Sequence, residues 1–396
     1  MAGGPAAPAA EVISFMAARD LIFFVLGAIL PSFIVCWVSV RWVRRWAVRW
    51  QLVDKPAARK VHATPTPMGG GVAIWLGVML PLLCGQILLL LCTLPGIGET
   101  LSQAIVPEFA RAHLPGLIRQ SIALWILLGG GTILMIVGLL DDRAGLSWQT
   151  RLAIQFGVAA VCVVWQGWRL TAFIDVPWIT WVLSVIWIVA LINSFNMLDN
   201  MDGLSAGVAA IAAATLAAVL LLSPDPSTNQ PQLFVAGFLL VIVGSLTGFL
   251  WHNRPPARIF MGDAGSYFVG FCIAVTTLLA TFTEYRGSSP HAVLAPLCVM
   301  AVPLYDMVSV IWIRLREGRS PFEADKNHFS HRLVDLGLTK GQAVLTIYLT
   351  TATCGLGALL LHRTDLIGAT FVILMIVCIL SLIAILESTA RRKLNQ

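Results

Sequence analysis

Apolar runs of about 18 residues or more recur from one end of this chain to the other. Each is long enough to cross the hydrocarbon core of a bilayer as a helix. Only 12% of the 396 residues are charged, against about 25% in a soluble domain. The sequence therefore predicts an all-α polytopic membrane protein, read as one domain over residues 1–396. About eleven transmembrane helices are expected, near 21–40, 71–94, 121–140, 152–168, 178–195, 203–222, 232–250, 265–283, 291–313, 342–361 and 365–387. The N-terminal stretch MAGGPAAPAAEV has no basic region of the kind a cleaved signal carries, so the first run is expected to stay as a span. The eight cysteines lie almost all in apolar runs and form no CxxC pair. They read as small buried hydrophobes rather than disulfides or a zinc site.

Lys and Arg decide the orientation. With eleven spans, the loops after the odd-numbered ones hold twenty Lys and Arg and the opposite loops six. Arg41, Arg44, Arg45 and Arg49 follow the first span, and Arg314, Arg316, Arg319 and Lys326 follow the ninth. That bias puts the first set in the cytoplasm, the N-terminus outside and the C-terminus inside. The net charge of +6 is then a topology signal and gives no support for nucleic-acid binding. Trp42, Trp46 and Trp50 alternate with Arg41, Arg45 and Arg49, a pattern suited to membrane lipid headgroups.

Acids are scarce, and they collect on the same side. GLLDDRAGLSWQTRLAIQ (138–155) ends a span with Asp141 and Asp142, a pair that alone could be an ordinary polar helix end. NSFNMLDNMDGLSAG (193–207) places Asn193, Asn196 and Asp199 at i, i+3 and i+6, on one helical face, with Asn200 and Asp202 beyond. So many polar side chains at a bilayer edge are costly unless they meet water or a ligand. RPPARIFMGDAGSYFVG (254–270) sets Asp263 between glycines before the next span, a setting that suits either a metal facing phosphates or a plain helix cap. REGRSPFEADKNHFSHRL (316–333) supplies Arg319, Lys326, His328, His331 and Arg332, the cations and imidazoles a polyanion needs. Within the spans, Asp306 stands out. It lies eight residues before Arg314, about 12 Å along a helix, and faces either a cavity or a structural partner. Carboxylates for a metal beside cations for phosphates make a kit for phosphoryl transfer at headgroup level.

Five blocks now carry a resemblance. DKPAARKVHATPTPMGGG (54–71), GLLDDRAGLSWQTR (138–151), NSFNMLDNMDGLSAG, PARIFMGDAGS (256–266) and SPFEADKNHFSHRL (320–333) resemble the signature blocks of the polyprenyl-phosphate N-acetylhexosamine-1-phosphate transferases, glycosyltransferase family 4, over about residues 50–335. The resemblance implies transfer of a sugar 1-phosphate from a UDP-N-acetylhexosamine to undecaprenyl phosphate, with release of UMP. It implies Mg2+ as cofactor, with Mn2+ as a substitute, and a cytosolic active site in a bacterial inner membrane. The reaction would be the first membrane step of a cell-envelope polysaccharide such as lipopolysaccharide or teichoic acid. A homodimer is also an expectation from related proteins.

By the same resemblance, Asp141, Asp142 and Asp199 are catalytic, and Asp263 and Asn196 serve the metal. Asn193, Asp202, Phe260, His328, His331 and Arg332 hold nucleotide and sugar, with Phe260 stacking on uracil. Three positions depart from the family's pattern: Asn200 replaces a Gly, Arg151 a Lys, and Ser330 the middle His of the histidine motif. HFSHRL is closer to the GlcNAc-1-phosphate branch than to the branch using UDP-MurNAc-pentapeptide, which remains the alternative. A lipid or solute transporter is the rival of another class, although ionisable residues would then be expected near the midplane. Direct attack by the lipid phosphate and a covalent Asp intermediate are both open, and direct displacement is favoured.

Overall fold

A computed structural model describes residues 18–54, 65–111, 113–170, 176–223, 231–281, 290–323 and 325–394. Lys55, Arg59 and Lys60, which entered the charge count, fall outside the described residues, as does most of the 223–232 loop.

Helices dominate: α1 Ala18–Arg49, α2 Gly70–Leu91, α3 Gly98–Ile105, α4 Glu108–Arg111, α5 Leu114–Ala144, α6 Trp148–Gln166, α7 Pro177–Leu198, α8 Leu204–Leu222, α9 Leu233–Asn253, α10 Gly262–Thr281, α11 Ala295–Val299, α12 Ala301–Arg316, α13 Phe329–Asp335, α14 Lys340–Leu361 and α15 Leu366–Leu394. One two-stranded ribbon pairs β1 (Val53–Asp54) with β2 (Thr66–Pro67), antiparallel. A backbone inside lipid must satisfy its own hydrogen bonds, which is why long apolar segments become helices here.

Among the described residues nine helices are long and apolar enough to cross a membrane. The segments His291–Val299 and Ala301–Arg316 would together make a tenth, bent by 65°. The expected span at 152–168 is α6, which does not reach the same apolarity. Eleven crossings are thus recovered only if α6 and the bent pair each count as one.

Helix α10 is the axis of the bundle. It packs against α5 and α7, and 89% of its most apolar window is buried inside the protein. For α1 and α15 the figures are 11% and 17%, so these two offer most of their surface outward. Their exposed Ile, Leu, Phe and Val side chains suit lipid rather than water. All eight cysteines are free; Cys36, Cys162, Cys272, Cys298 and Cys354 are buried as expected, whereas Cys84 and Cys378 are exposed and Cys92 is half-buried.

Small residues set the close approaches that matter for the polar end. A Cβ on Gly138 of α5 would lie 2.4 Å from the backbone of Asp263. Only a glycine there lets α5 lie against the start of α10. Four residues on, one helical turn, Asp142 is delivered to the same place. Gly262 has φ +71°, left-handed backbone that lets the chain turn from the 254–261 loop into α10.

Candidate active site

The ends of α5, α7 and α10 meet, and their carboxylates are threaded through one another's backbone. Asp142 Oδ1 accepts the Asp263 N–H at 2.9 Å, and its Oδ2 accepts the Ala264 N–H at 3.2 Å. The first-turn donors of α10 are among those a helix cannot satisfy internally, so Asp142 caps α10 from another helix. Asp199 Oδ2 accepts the Gly262 N–H at 3.1 Å, and Asp202 Oδ2 accepts the Ala257 N–H at 2.9 Å. Asn253 ties the loops together, accepting from Gly203 N–H and donating to Ile259 O. Enclosure by the helix ends, with the Asp142 charge beside it, pushes the Asp199 carboxyl up to about 7.

These acids form one wall of a cavity of about 450 Å³. Asp142, Asp199, Asp202 and Asp263 line it with Phe260, and Lys326, His328, His331 and Lys340 line it from the other side. Phe260 is placed by backbone: its N–H donates to Pro67 O in the ribbon, and its carbonyl accepts from Gly70. The opposite wall is a braced loop. Arg314 grips Asp325 through Nε and Nη2 at 3.1 and 3.2 Å, and Arg319 adds a contact at 2.9 Å. Burial opposes ionisation of Asp325, but these hydrogen bonds outweigh it and hold the carboxyl well below its usual range. Phe322 stacks on Trp148 at the start of α6, with centroids 4.0 Å apart, which ties this loop to the acid wall's own helices. Burial lowers the His331 imidazole, and neighbouring His328 adds to the effect.

Asp142, Asp199 and Asp263 share the cavity, and among the described residues none of them is ion-paired. Hard carboxylate oxygens of this kind suit magnesium. No three carboxylates, imidazoles or thiols among the described residues stand close enough to enclose a metal by themselves. The site fits a cation that completes its shell with substrate oxygens, and does not fit a closed protein cage.

Residues 124–281 match the family described as Glycosyl transferase family 4. Over 364 residues the chain is 34% identical to the undecaprenyl-phosphate alpha-N-acetylglucosaminyl 1-phosphate transferase of Pasteurella multocida, covering 88% of this chain and 91% of that protein. The chain belongs to glycosyl transferase family 4. It is also similar to a probable undecaprenyl-phosphate N-acetylglucosaminyl 1-phosphate transferase of Bacillus subtilis, 29% identical over 91% of each chain. A decaprenyl-phosphate N-acetylglucosaminephosphotransferase of Mycolicibacterium smegmatis is 30% identical over 83% of this chain and 80% of its own.

Within this family member, the expected site residues divide. Asp142, Asp199, Asp202, Asp263, Phe260, His328 and His331 line the cavity together. Asn196 stands behind Asp263, donating to its Oδ1 at 2.6 Å and to Ser266 Oγ at 3.0 Å, so it positions that carboxylate. Asn193 and Arg332 face elsewhere, and Asp141 lies beside Asp263, just behind the cavity wall. Asp141 is 8% exposed and is held by Arg151 at 3.0 Å, Tyr267 Oη at 3.0 Å and Leu146 N–H at 2.7 Å. Asn193 donates to Gln155 on α6 and to Val189 O, one turn below Asn196. Arg332 turns from the cavity and donates to Glu387 on α15 at 2.9 Å, to Ser309 Oγ at 2.8 Å and to Asn327 O.

The departures from the family's pattern acquire partners. Arg151 clamps Asp141, and the Ser330 hydroxyl donates to Asn200 Oδ1, so two unusual residues join the histidine loop to the central acid loop. Sequence reasoning missed Tyr267, Asn253 and Lys340. Asn253 carried a faint signal, an amide ending an otherwise apolar span, whereas Tyr267 inside an apolar run carried none.

Proposed function

We propose that this protein transfers GlcNAc-1-phosphate from UDP-GlcNAc to undecaprenyl phosphate, releasing UMP, with the cavity on the cytosolic side of a bacterial inner membrane. The relatives' names support the sugar phosphate and the lipid acceptor. The UDP leaving group and the cytosolic face rest on Phe260, the cation-lined wall and the Lys and Arg bias of the loops. The observation that carries the reading is the meeting of five distant sequence blocks around one cavity, lined by carboxylates together with imidazoles and lysines.

Two anions must approach each other here, so charge is the main obstacle. Asp142, Asp199 and Asp263 are the residues that would hold a magnesium ion, which when bound neutralises charge on the diphosphate and its leaving group. Lys326, Lys340 and His328 oppose the remaining phosphate charge from the other wall, and His331 offers a hydrogen bond there. Phe260, fixed by its backbone, offers a face for the uracil ring. The lipid phosphate has its second pKa near 6, so it arrives largely ionised and needs little help from a base. Its oxygen attacks the β-phosphorus, the bond to the UMP oxygen breaks, and UMP leaves with that electron pair. In this direct displacement Asp142 orients the incoming phosphate, while Asp141, clamped by Arg151, keeps the end of α5 in register.

Purified protein given undecaprenyl phosphate and a panel of UDP-sugars should release UMP with UDP-GlcNAc preferred. Absence of UMP with every donor would overturn the reading. Label trapped on the protein from sugar-labelled donor without lipid would replace direct displacement by a covalent route.

A further inference from the structure

Asp306 lies in α12 with no exposure, and the transfer reaction as described makes no use of it. A carboxylate inside an apolar helix needs partners to remain there. Both of its oxygens have one. Oδ1 accepts the Phe329 N–H at 2.6 Å, and Oδ2 faces His328 Nδ1 at 3.1 Å. His328 itself lines the cavity. A carboxylate accepts hydrogen bonds and donates none, so this contact requires the proton on Nδ1 and leaves Nε2 for the cavity.

We propose that Asp306 is a positioning residue that holds Nδ1–H and fixes the ring plane of His328, so that the ring, carrying both protons, donates Nε2–H to the phosphates of the sugar nucleotide. The inference rests on the function proposed above for what occupies the cavity. The contact itself does not depend on it.

Packing alone is a weaker account of Asp306, because α12 and α13 are joined without it. Ser309 accepts from Arg332, Tyr305 meets the Phe329 ring edge-on at 5.5 Å, and the Tyr305 hydroxyl donates to Glu387 at 2.9 Å. These contacts hold the histidine loop in place. What Asp306 adds is a paired acceptor aimed at one nitrogen of one imidazole. Groups that orient a functional histidine in this way typically change activity by about 10- to 100-fold when altered.

Asp306→Asn separates the two roles. Its amide oxygen can still accept from Phe329 N–H, and its NH2 then faces Nδ1, which takes the proton off Nδ1 and leaves a neutral ring without the charge that opposes the phosphates. Nitrogen-15 spectra of histidine-labelled protein, with His328 identified by its loss in His328→Gln, should find Nδ1 protonated in the natural chain and unprotonated in Asp306→Asn. In the same variant kcat/KM for UDP-GlcNAc should fall about 10- to 100-fold while the thermal midpoint stays in place. An unprotonated Nδ1 in the natural chain, a protonated Nδ1 in the variant, or full activity of a variant that has lost that proton would each overturn the proposal. If the natural chain released no UMP from any donor, the function would fail while the protonation result still decided the role of Asp306.

Discussion

The two walls of the cavity are built on opposite electrostatic plans. On the acid wall, Asp142, Asp199 and Asp263 take hydrogen bonds from backbone or amide N–H groups and meet no cation among the described residues. On the histidine wall, charges are already matched: Arg314 and Arg319 with Asp325, Arg332 with Glu387. One wall is ordered but crowds carboxyls that resist ionisation without a cation among them, and the other is a neutralised scaffold that presents a few imidazoles and lysines. The lesson is that a cation at a membrane face is not a ligand-binding group by default. The arginines of the histidine motif hold the loop, and smaller groups face the cavity.

Removing charge should therefore act differently on the two sides. Asp263→Asn should lower turnover by about 100- to 1,000-fold with little loss of stability, and Asp142→Asn should lower it as much while also losing one of the two caps on α10, about 1 kcal/mol, as read by UMP release and thermal melting. Near-normal turnover in either would break the contrast. Arg332→Ala should instead cost about 3–5 kcal/mol of stability by stranding buried Glu387. Arg332→Met with Glu387→Leu should recover most of it, and the KM of surviving enzyme should change little. A large KM effect without destabilisation would return Arg332 to the substrate.

A pH series sharpens the acid wall. Asp199 is pushed from the usual carboxylate range up to about 7 by burial and by Asp142. The unfolded carboxyl ionises first, so folded stability is full near pH 4, falls as pH rises and is lowest above about 7. Asp199→Asn should then raise the thermal midpoint of magnesium-free protein at pH 8 and leave it unchanged near pH 4. Equal shifts at both pH values would remove the charge explanation. The smallest effect belongs to the bridge between the walls. Ser330→Ala loses one hydrogen bond, about 0.5–1.5 kcal/mol, and should raise the KM for UDP-GlcNAc by a few-fold. An unchanged KM would make the Asn200 contact incidental.

Much of this was legible in the sequence because apolar length and scarce acids are local signals. The runs marked the long helices, and the acids at their ends marked one polar face. The partners that spacing alone did not give have a common cause. Asp141 and Asp142 are neighbours, yet successive residues on a helix point about 100° apart. Asp141 therefore meets Arg151 and the Tyr267 hydroxyl on the flank of α10, while Asp142 meets the backbone N–H groups at the start of α10. Asn193 and Asn196 share a face but differ by a turn in depth, and only the upper one reaches Asp263. Arg332 was expected at nucleotide and sugar through the resemblance, and its partner in the structure, Glu387, lies 55 residues away in the sequence. Asp306 was visible as an acid at depth, and the 22 residues separating it from His328 hid its purpose. Partner choice of this kind is decided by packing between helices, which spacing along the chain does not encode.

Manganese in place of magnesium gives the most direct test of the central claim, that the acid wall holds a divalent cation against the diphosphate. Electron–nuclear spectra of the purified protein with Mn2+ and UDP-GlcNAc should contain phosphorus couplings from a protein-bound ion, lost in Asp263→Asn. Couplings that persist unchanged in Asp263→Asn, or protein-bound manganese with no phosphorus nearby, would contradict it.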